Sequence, residues 1–312
     1  MSALICGSIA YDNIMVFEGR FKEHILPDQI HILNVSFLVP DLRREFGGCA
    51  GNIAYNLRLL GGEPRIMATV GSDFGNYEAW LLRHGVNLDH VSEVSGMLTA
   101  QAYITTDLDD NQITAFHPGA MNEAHRNTVP VNAGIQIGIV SPDGRQGMLD
   151  HAAQLHAAGI PFIFDPGQGL PMFDGDDLRH FVDLATWVAL NDYEARLLME
   201  RTGWSEADLA GRVKALIVTR GAQGSRIWTG AEQLDIPVVK PAAILDPTGC
   251  GDAYRAGLLH GISRGLSWAE AGRLAALLGS LKIAHRGTQN HAFTPASLRQ
   301  EFRAAFGHEI QL

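Results

Sequence analysis

The feature that most constrains this chain is a rhythm. Short apolar runs of strand length recur along it, and longer segments with helical periodicity separate them. Leu4–Ile9, Arg65–Val70, Ile135–Val140, Pro161–Phe164, Trp187–Leu190 and Leu216–Val218 are apolar nearly throughout. A strand with one wet face alternates apolar and polar residues, whereas a strand apolar along its length needs cover on both faces. Between these runs, Asn52–Leu60, Tyr77–His84, Met148–Ala158 and Tyr193–Thr202 read as helices, the first stopped by Gly61-Gly62. Ala253–Ser263, Trp268–His285 and the tail after Pro295 read as three more. The predicted fold class is α/β, a doubly wound, mostly parallel sheet with helices on both faces. We expect residues 1–312 to form a single domain of this kind.

Two segments break the rhythm. Residues about 13–45 carry IMVFEGRF, Pro27, IHILNVSFLV and Pro40, and residues about 99–117 carry TAQAYITTDLDDNQITAF. The second reads as two alternating strands around the turn Asp109-Asp110-Asn111. Strands without helices do not belong to a doubly wound core. We read them as a small β-sheet lid inserted in two pieces. On pattern alone, ordinary surface hairpins remain an alternative.

Composition excludes some functions. A formal net charge of −10 argues against a nucleic-acid or anionic-membrane surface, although a local pocket can still hold a small anion. Cys6, Cys49 and Cys250 are odd in number and lack metal-ligand spacing, which favours a reducing compartment. The start, MSALICGSIAYDN, has no basic leader region and reads as a strand. No apolar run approaches the ~20 residues of a membrane span. We therefore expect a cytoplasmic protein. The thirteen histidines are scattered and read as structural or exposed.

Two glycine clusters open helices. In Asp246-Pro247-Thr248-Gly249-Cys250-Gly251-Asp252-Ala253, the glycines allow a sharp turn and close approach of a ligand. The helix start that follows offers unpaired N–H groups and a positive dipole end, which is an anion site. A carboxylate there is unfavourable unless it has a task, and Asp252 could accept a proton from an attacking hydroxyl. An N-cap aspartate on a glycine-rich loop is the plainer reading of the same spacing. The other cluster, Gly47-Gly48-Cys49-Ala50-Gly51-Asn52, could press N–H groups and the Asn52 amide against substrate hydroxyls, or could simply be a tight turn.

Both clusters resemble the two signatures of the ribokinase-like (pfkB) family of carbohydrate and nucleoside kinases, at Gly48–Gly61 and Asp246–Ala253. Asn191-Asp192-Tyr193-Glu194 is similar to the family's Asn-x-x-Glu element. Val218-Thr219-Arg220-Gly221-Ala222-Gln223-Gly224 is similar to its nucleotide loop, and Gly7–Asp12 to its first strand. Within the family the chain is most similar to bacterial adenosine and nucleoside kinases, through ICGSIAYDNIM, FEGRF, HILNVSFLVPDLRREFGGCAGN, ITAFHPGAM, DPGQGLP and NDYEA.

The resemblance implies in-line transfer of the ATP γ-phosphoryl group to a nucleoside 5′-hydroxyl. It implies Asp252 as base and Gly249, Cys250 and Gly251 as the anion hole. Asp12 would bind the ribose hydroxyls, with Ser8, Gly48 and Asn52 completing those contacts. Phe116 would cover the base and Gln168 would lie near it. Asn191, Thr219, Gly221 and Gly224 would line ATP. Glu194, with Asn191, would organise Mg²⁺ through water. Asp246, with carbonyls from Ala284 through Gln289, would hold potassium. Ala102 stands where an adenosine-specific relative would place an aromatic, and Tyr103 points to the opposite strand face, so Phe116 is the stacking candidate. A sugar kinase of the same family is the alternative, with a catalytically inactive nucleoside sensor behind it. The lid offers an edge through which a homodimer could form.

Overall fold

The computed structural model describes residues 2–25, 35–109, 111–230 and 232–312. Pro27, the first half of IHILNVSFLV and Asp110 lie outside the described residues. In chain order the strands are β1 (Ser2–Cys6), β2 (Ala10–Val16), β3 (Asp41–Gly47), β4 (Glu63–Val70), β5 (Asn87–Glu93), β6 (Ala100–Thr106) and β7 (Gln112–His117). They continue as β8 (Ile137–Val140), β9 (Phe162–Phe164), β10 (Trp187–Asn191), β11 (Ala215–Thr219), β12 (Ser225–Thr229) and β13 (Glu232–Ile236). The helices are α1 (Phe21–His24), α2 (Cys49–Leu59), α3 (Gly75–Arg83), α4 (Arg145–Ala157) and α5 (Gly175–Leu184). After them come α6 (Asp192–Thr202), α7 (Glu206–Arg212), α8 (Cys250–Ser263), α9 (Trp268–Ile283) and α10 (Pro295–Phe306).

Nine strands form the large sheet, in the order β13-β12-β11-β10-β9-β8-β1-β4-β5. From β11 to β5 the pairing is parallel, and β12 and β13 add an antiparallel edge. The expected double cover is present. Along β1, Ala3 and Ile5 enter a core closed by α2, α3, α8, α9 and α10, while Leu4 and Cys6 enter one closed by α4, α5, α6 and α7. On β11, Ile217 enters the first and Leu216 and Val218 the second. Each central strand must be apolar at every position because each face has its own core.

The same logic explains the elements that the apolar runs do not announce. NLDHVSE of β5 and EQLDI of β13 are edge strands with polar positions. α5 begins with an Asp174 capping box that satisfies its first N–H groups, and α7 is short. α2 and α8 start at Cys49 and Cys250, each three residues before its expected start, so both glycine clusters lie in the first helical turn.

The second sheet has four strands, in the order β3-β2-β6-β7, drawn from the two segments that break the rhythm. The chain runs from β1 through Gly7-Ser8-Ile9 directly into β2. Asp12, expected on the first core strand, therefore belongs to the small sheet. In the large sheet the chain proceeds from β1 to β4 and β5 on one side, then returns to β8 on the other. That reversal is a topological switch point, where ligand crevices form outside the carboxyl ends of the strands. Among the described residues no helix is long and apolar enough to cross a membrane.

Helix α8 is clamped on α9 by small residues. A Cβ on Gly257 would lie 2.6 Å from the Ala275 Cα, and one on Gly261 would lie 2.6 Å from the Ala271 Cβ. We predict that Gly257→Ala forces the two helices apart at a cost of about 1–3 kcal/mol. Its thermal midpoint should fall by several degrees, and an unchanged midpoint would show that the contact yields freely.

Candidate active site

The site gathers at the carboxyl ends of the large-sheet strands. Gly7 and Ser8 follow β1, Asp165 follows β9, and Asn191 and Thr219 end β10 and β11. The N-termini of α2 and α8 arrive there as well. Gly249 caps α8 with φ 78°, a left-handed conformation that favours glycine, and it offers no capping side chain. Asp252 is therefore the third helical residue and not the N-cap, which removes the plainer reading of that spacing. The Cys250 N–H donates to the Pro247 carbonyl at 3.2 Å. Among the described residues no acceptor meets the N–H groups of Gly249 and Gly251.

Asp252 is held by a relay of amides. Asn52 Nδ2 donates to Asp252 Oδ2 at 2.8 Å, Gln289 Nε2 donates to Asn52 Oδ1 at 3.0 Å, and Trp80 Nε1 donates to Gln289 Oε1 at 3.0 Å. Gln289 also donates to the Tyr77 hydroxyl, which donates to the Gly47 carbonyl at 2.8 Å. The Asn52 amide, expected against ribose hydroxyls, thus orients Asp252. One turn further along α8, Arg255 is buried and donates to Asp165 Oδ1 at 2.9 Å, with Glu194 Oε2 at 4.0 Å. Burial pushes Asp252 from 3.8 up to about 6, with Asp165 adding to the rise while the Asn52 hydrogen bond and Arg255 oppose it.

On the small sheet, Asp12 pairs with Glu45 on β3 and Ala102 on β6, and Ala102 pairs with Phe116 on β7. Paired residues share a face, so these four form one row. Tyr103 lies on the other face with Asn13 and Arg44, whose Nε donates to Asn13 Oδ1 at 3.0 Å. Burial raises Asp12 to about 6, and the charges of Asp252, Asp246 and Glu45 add to the rise. The first glycine cluster makes room for this row. A Cβ on Gly47 would lie 2.5 Å from Asp12 Oδ2, and one on Gly48, at φ 83°, would lie 2.5 Å from the Ser8 carbonyl oxygen. Ser8 Oγ accepts from the Cys49 N–H at 3.2 Å, and the Ser8 carbonyl accepts from the Ala50 N–H at 3.0 Å.

Asn191 and Glu194 form a reciprocal capping box on α6. Asn191 Oδ1 accepts from the Glu194 N–H at 2.8 Å, and the two Glu194 oxygens accept from Asn191 Nδ2 and N at 2.7 Å each. A carboxylate has about four lone-pair positions. Those left on Glu194 suit a metal ion held through water, and the two bonds fix its orientation. Thr219 is paired in register with Asn191, beside the turn through Gly221 and Gly224. Gln168 is exposed in the 3₁₀ turn Gly167–Met172 after Asp165. Asp246 accepts from the Thr248 and Gly287 N–H groups at 2.9 Å each. Burial alone would raise it, but these bonds outweigh burial and hold it below its ordinary value.

The sequence pattern assigns no role to the side chains of Asp165, Arg255, Lys282 or Gln289. Two signals exist. Arg255 follows Asp252 by three residues, so the two share a helix face. Lys282 is a lone charge at the end of the apolar run LAALLGSLKIA.

The chain matches the pfkB family of carbohydrate kinases over residues 15–295. It is 31% identical over 260 residues to a nucleoside kinase of Methanocaldococcus jannaschii, covering 83% of this chain and 85% of that protein. Its structure is similar to the nucleoside kinase of Burkholderia thailandensis in complex with inosine, with TM-score 0.91, 55% identity, and coverage of 98% of this chain and 99% of that one. The complex of the same Burkholderia enzyme with ADP and inosine gives TM-score 0.89 at 56% identity, covering 99% and 97%.

The raised Asp252 has a consequence for stability. When a carboxyl has a folded-state pKa above its unfolded value, its stabilising contribution is present below the unfolded pKa and is lost as pH rises through the folded one. The ionised carboxylate is therefore a cost at pH 7. We predict that Asp252→Asn, which can still accept from Asn52, is more stable than wild type at pH 7 by on the order of 1–3 kcal/mol. The difference should shrink as pH falls from 7 towards 4. Paired denaturation curves check this, and a variant less stable at pH 7 would contradict it.

Proposed function

The chain belongs to the pfkB family of carbohydrate kinases, and we propose that it transfers the γ-phosphoryl group of ATP to the 5′-hydroxyl of a purine nucleoside. The observation that carries the choice of a nucleoside is the row on the small sheet. Asp12 and Phe116 stand on one face two strands apart, roughly 10 Å by the ordinary strand spacing. A carboxylate at one end suits a vicinal diol, because it can accept two hydrogen bonds side by side. An aromatic ring at the other end suits a flat base. A nucleoside spans that distance, and a simple sugar does not. Ala102 lies between them and adds little bulk, which supports use of more than one purine base.

In this reading the ribose lies on Asp12, Ser8 and Gly48, and its 5′-hydroxyl points at Asp252. Asp252 takes the hydroxyl proton as the oxygen attacks. Asn52 acts through Asp252, keeping its carboxylate aimed. The N–H groups of Gly249 and Gly251, at the positive end of α8, receive the phosphoryl oxygens in transit. Cys250 contributes its place in the turn, since its N–H serves Pro247. Asn191, Thr219, Gly221 and Gly224 line ATP, and Gln168 sits beside the base. Glu194 would hold Mg²⁺ through water, and the ion would supply neutralisation of phosphate charge. Closure of the small sheet over the end of α8 as a lid would exclude water from the reaction. Its outer strand β7 is exposed along its length, including Ile113, which supports pairing with a second copy through this sheet.

The test is kcat/KM of the wild type for adenosine, inosine, ribose and fructose, with ATP and Mg²⁺. Adenosine and inosine should both lead, and preference for either sugar would defeat the reading. Asp252→Asn should lose ~10²–10⁴-fold in kcat with little change in nucleoside Kd. Phe116→Ala should raise KM for both nucleosides, in keeping with an aromatic contact of about 0.5–1.5 kcal/mol, and leave any ribose turnover unchanged.

A further inference from the structure

The potassium site implied by the resemblance does not fit this chain, because a side chain already occupies its oxygens. Lys282, on the last turn of α9, is fully buried. Its Nζ donates to the Asp246 carbonyl at 2.8 Å and to the His285 carbonyl at 3.3 Å, and it lies 3.9 Å from Asp246 Oδ1. One carbonyl from the loop before α8, one from the loop after α9, and a carboxylate are the donor set expected for a monovalent cation. An ammonium group carries the same single charge and is compact.

The surroundings argue against simple core packing. A buried Lys is rare unless paired, and the three oxygens around this Nζ, the Asp246 and His285 carbonyls and Asp246 Oδ1, are all acceptors. Burial lowers the Lys282 pKa, and Asp246, Cys250, Asp252 and Glu45 all oppose that fall. Asp246 carries the link to the reacting end of α8. Its two carboxylate oxygens hold the Thr248 and Gly287 N–H groups, and so tie together the loop that ends in Gly249 and the loop that holds Thr288. Thr288 in turn donates to the Phe46 carbonyl and packs where a Cβ on Gly249 would sit, 3.1 Å away.

We propose that the Lys282 ammonium is a built-in replacement for the monovalent cation, fixing the Asp246–Gly249 turn so that phosphoryl transfer needs no potassium. Lys282 is a positioning residue, acting through Asp246 on the Gly249 and Gly251 N–H groups. The inference rests on the kinase reading, but it also has a readout that needs no substrate.

The test compares potassium chloride with N-methyl-glucamine chloride at one ionic strength. Wild-type turnover and thermal midpoint should be the same in both salts. Lys282→Met should lose roughly tenfold or more in kcat in the organic salt, as expected when preorganised charge is lost. Potassium or ammonium ion should restore part of that loss and raise the midpoint of the variant alone. A purely structural lysine would give a loss that no ion repairs, and that result overturns the proposal. So does several-fold stimulation of the wild type by potassium, or a rise in its midpoint. If the variant does not fold, the wild-type comparison decides, with equality supporting the proposal and stimulation overturning it. If no nucleoside is phosphorylated, the midpoints still test Lys282 while the functional reading fails separately.

Discussion

Negative charge concentrated at the N-terminus of α8 is the constraint on which the rest of this structure depends. Burial raises both Asp12 and Asp252 to about 6, and the charges of Asp252, Asp246 and Glu45 add to the rise of Asp12. Left alone, such a group would protonate or push its loops apart. Three things hold it together. The dipole and free N–H groups of α8 face the cluster. Arg255 sits behind Asp252 between Asp165 and Glu194. Lys282 neutralises Asp246 from the end of α9. The same elements that make the cluster tolerable leave a strong demand for positive charge in front of it, and a magnesium-bound nucleotide would meet that demand.

The fold supplies the rigidity this needs. Asp252 is fixed through Asn52 on α2 and Gln289 beyond α9, and both helices pack against the same core as β1 and β4. The close approach of α8 to α9 at Gly257 and Gly261 ties the turn before α8 to the helix that carries Lys282. The small sheet is different in kind. It joins the core through Gly7-Ser8-Ile9, Gly47-Gly48 and the segment around Thr99, and its far strand β7 is exposed. A rigid base beside a recognition surface on a separate sheet suits an enzyme that must admit a nucleoside and then close over it.

Much of this was legible in the sequence, for reasons that can be stated residue by residue. The central strands announce themselves because both faces are buried. Edge strands β5 and β13 do not, because half of their surface is wet. The glycine clusters mark the site because only glycine fits at Gly48 and Gly249, where φ is positive, and at Gly47, where a Cβ would strike Asp12. What spacing cannot reveal is the partner of each side chain. Asn52 and Asp252 are 200 residues apart, and Asn52 and Gln289 are 237 apart. Asn52 thus reads from sequence as a substrate ligand, and only the fold brings its amide to Asp252. Asp246 likewise reads as a cation ligand, and the lysine that occupies it lies 36 residues away.

The account depends on Asp12 and Asp252 both being ionised and both lying at the substrate. The most direct test is the pH dependence of kcat/KM and of kcat for inosine. With both carboxyls raised to about 6, kcat/KM should fall below that pH with a slope approaching two. The fall in kcat should have slope one, because bound ribose holds Asp12 in its ionised, hydrogen-bonded form. A profile that stays flat from pH 7.5 down to pH 5 would contradict the account.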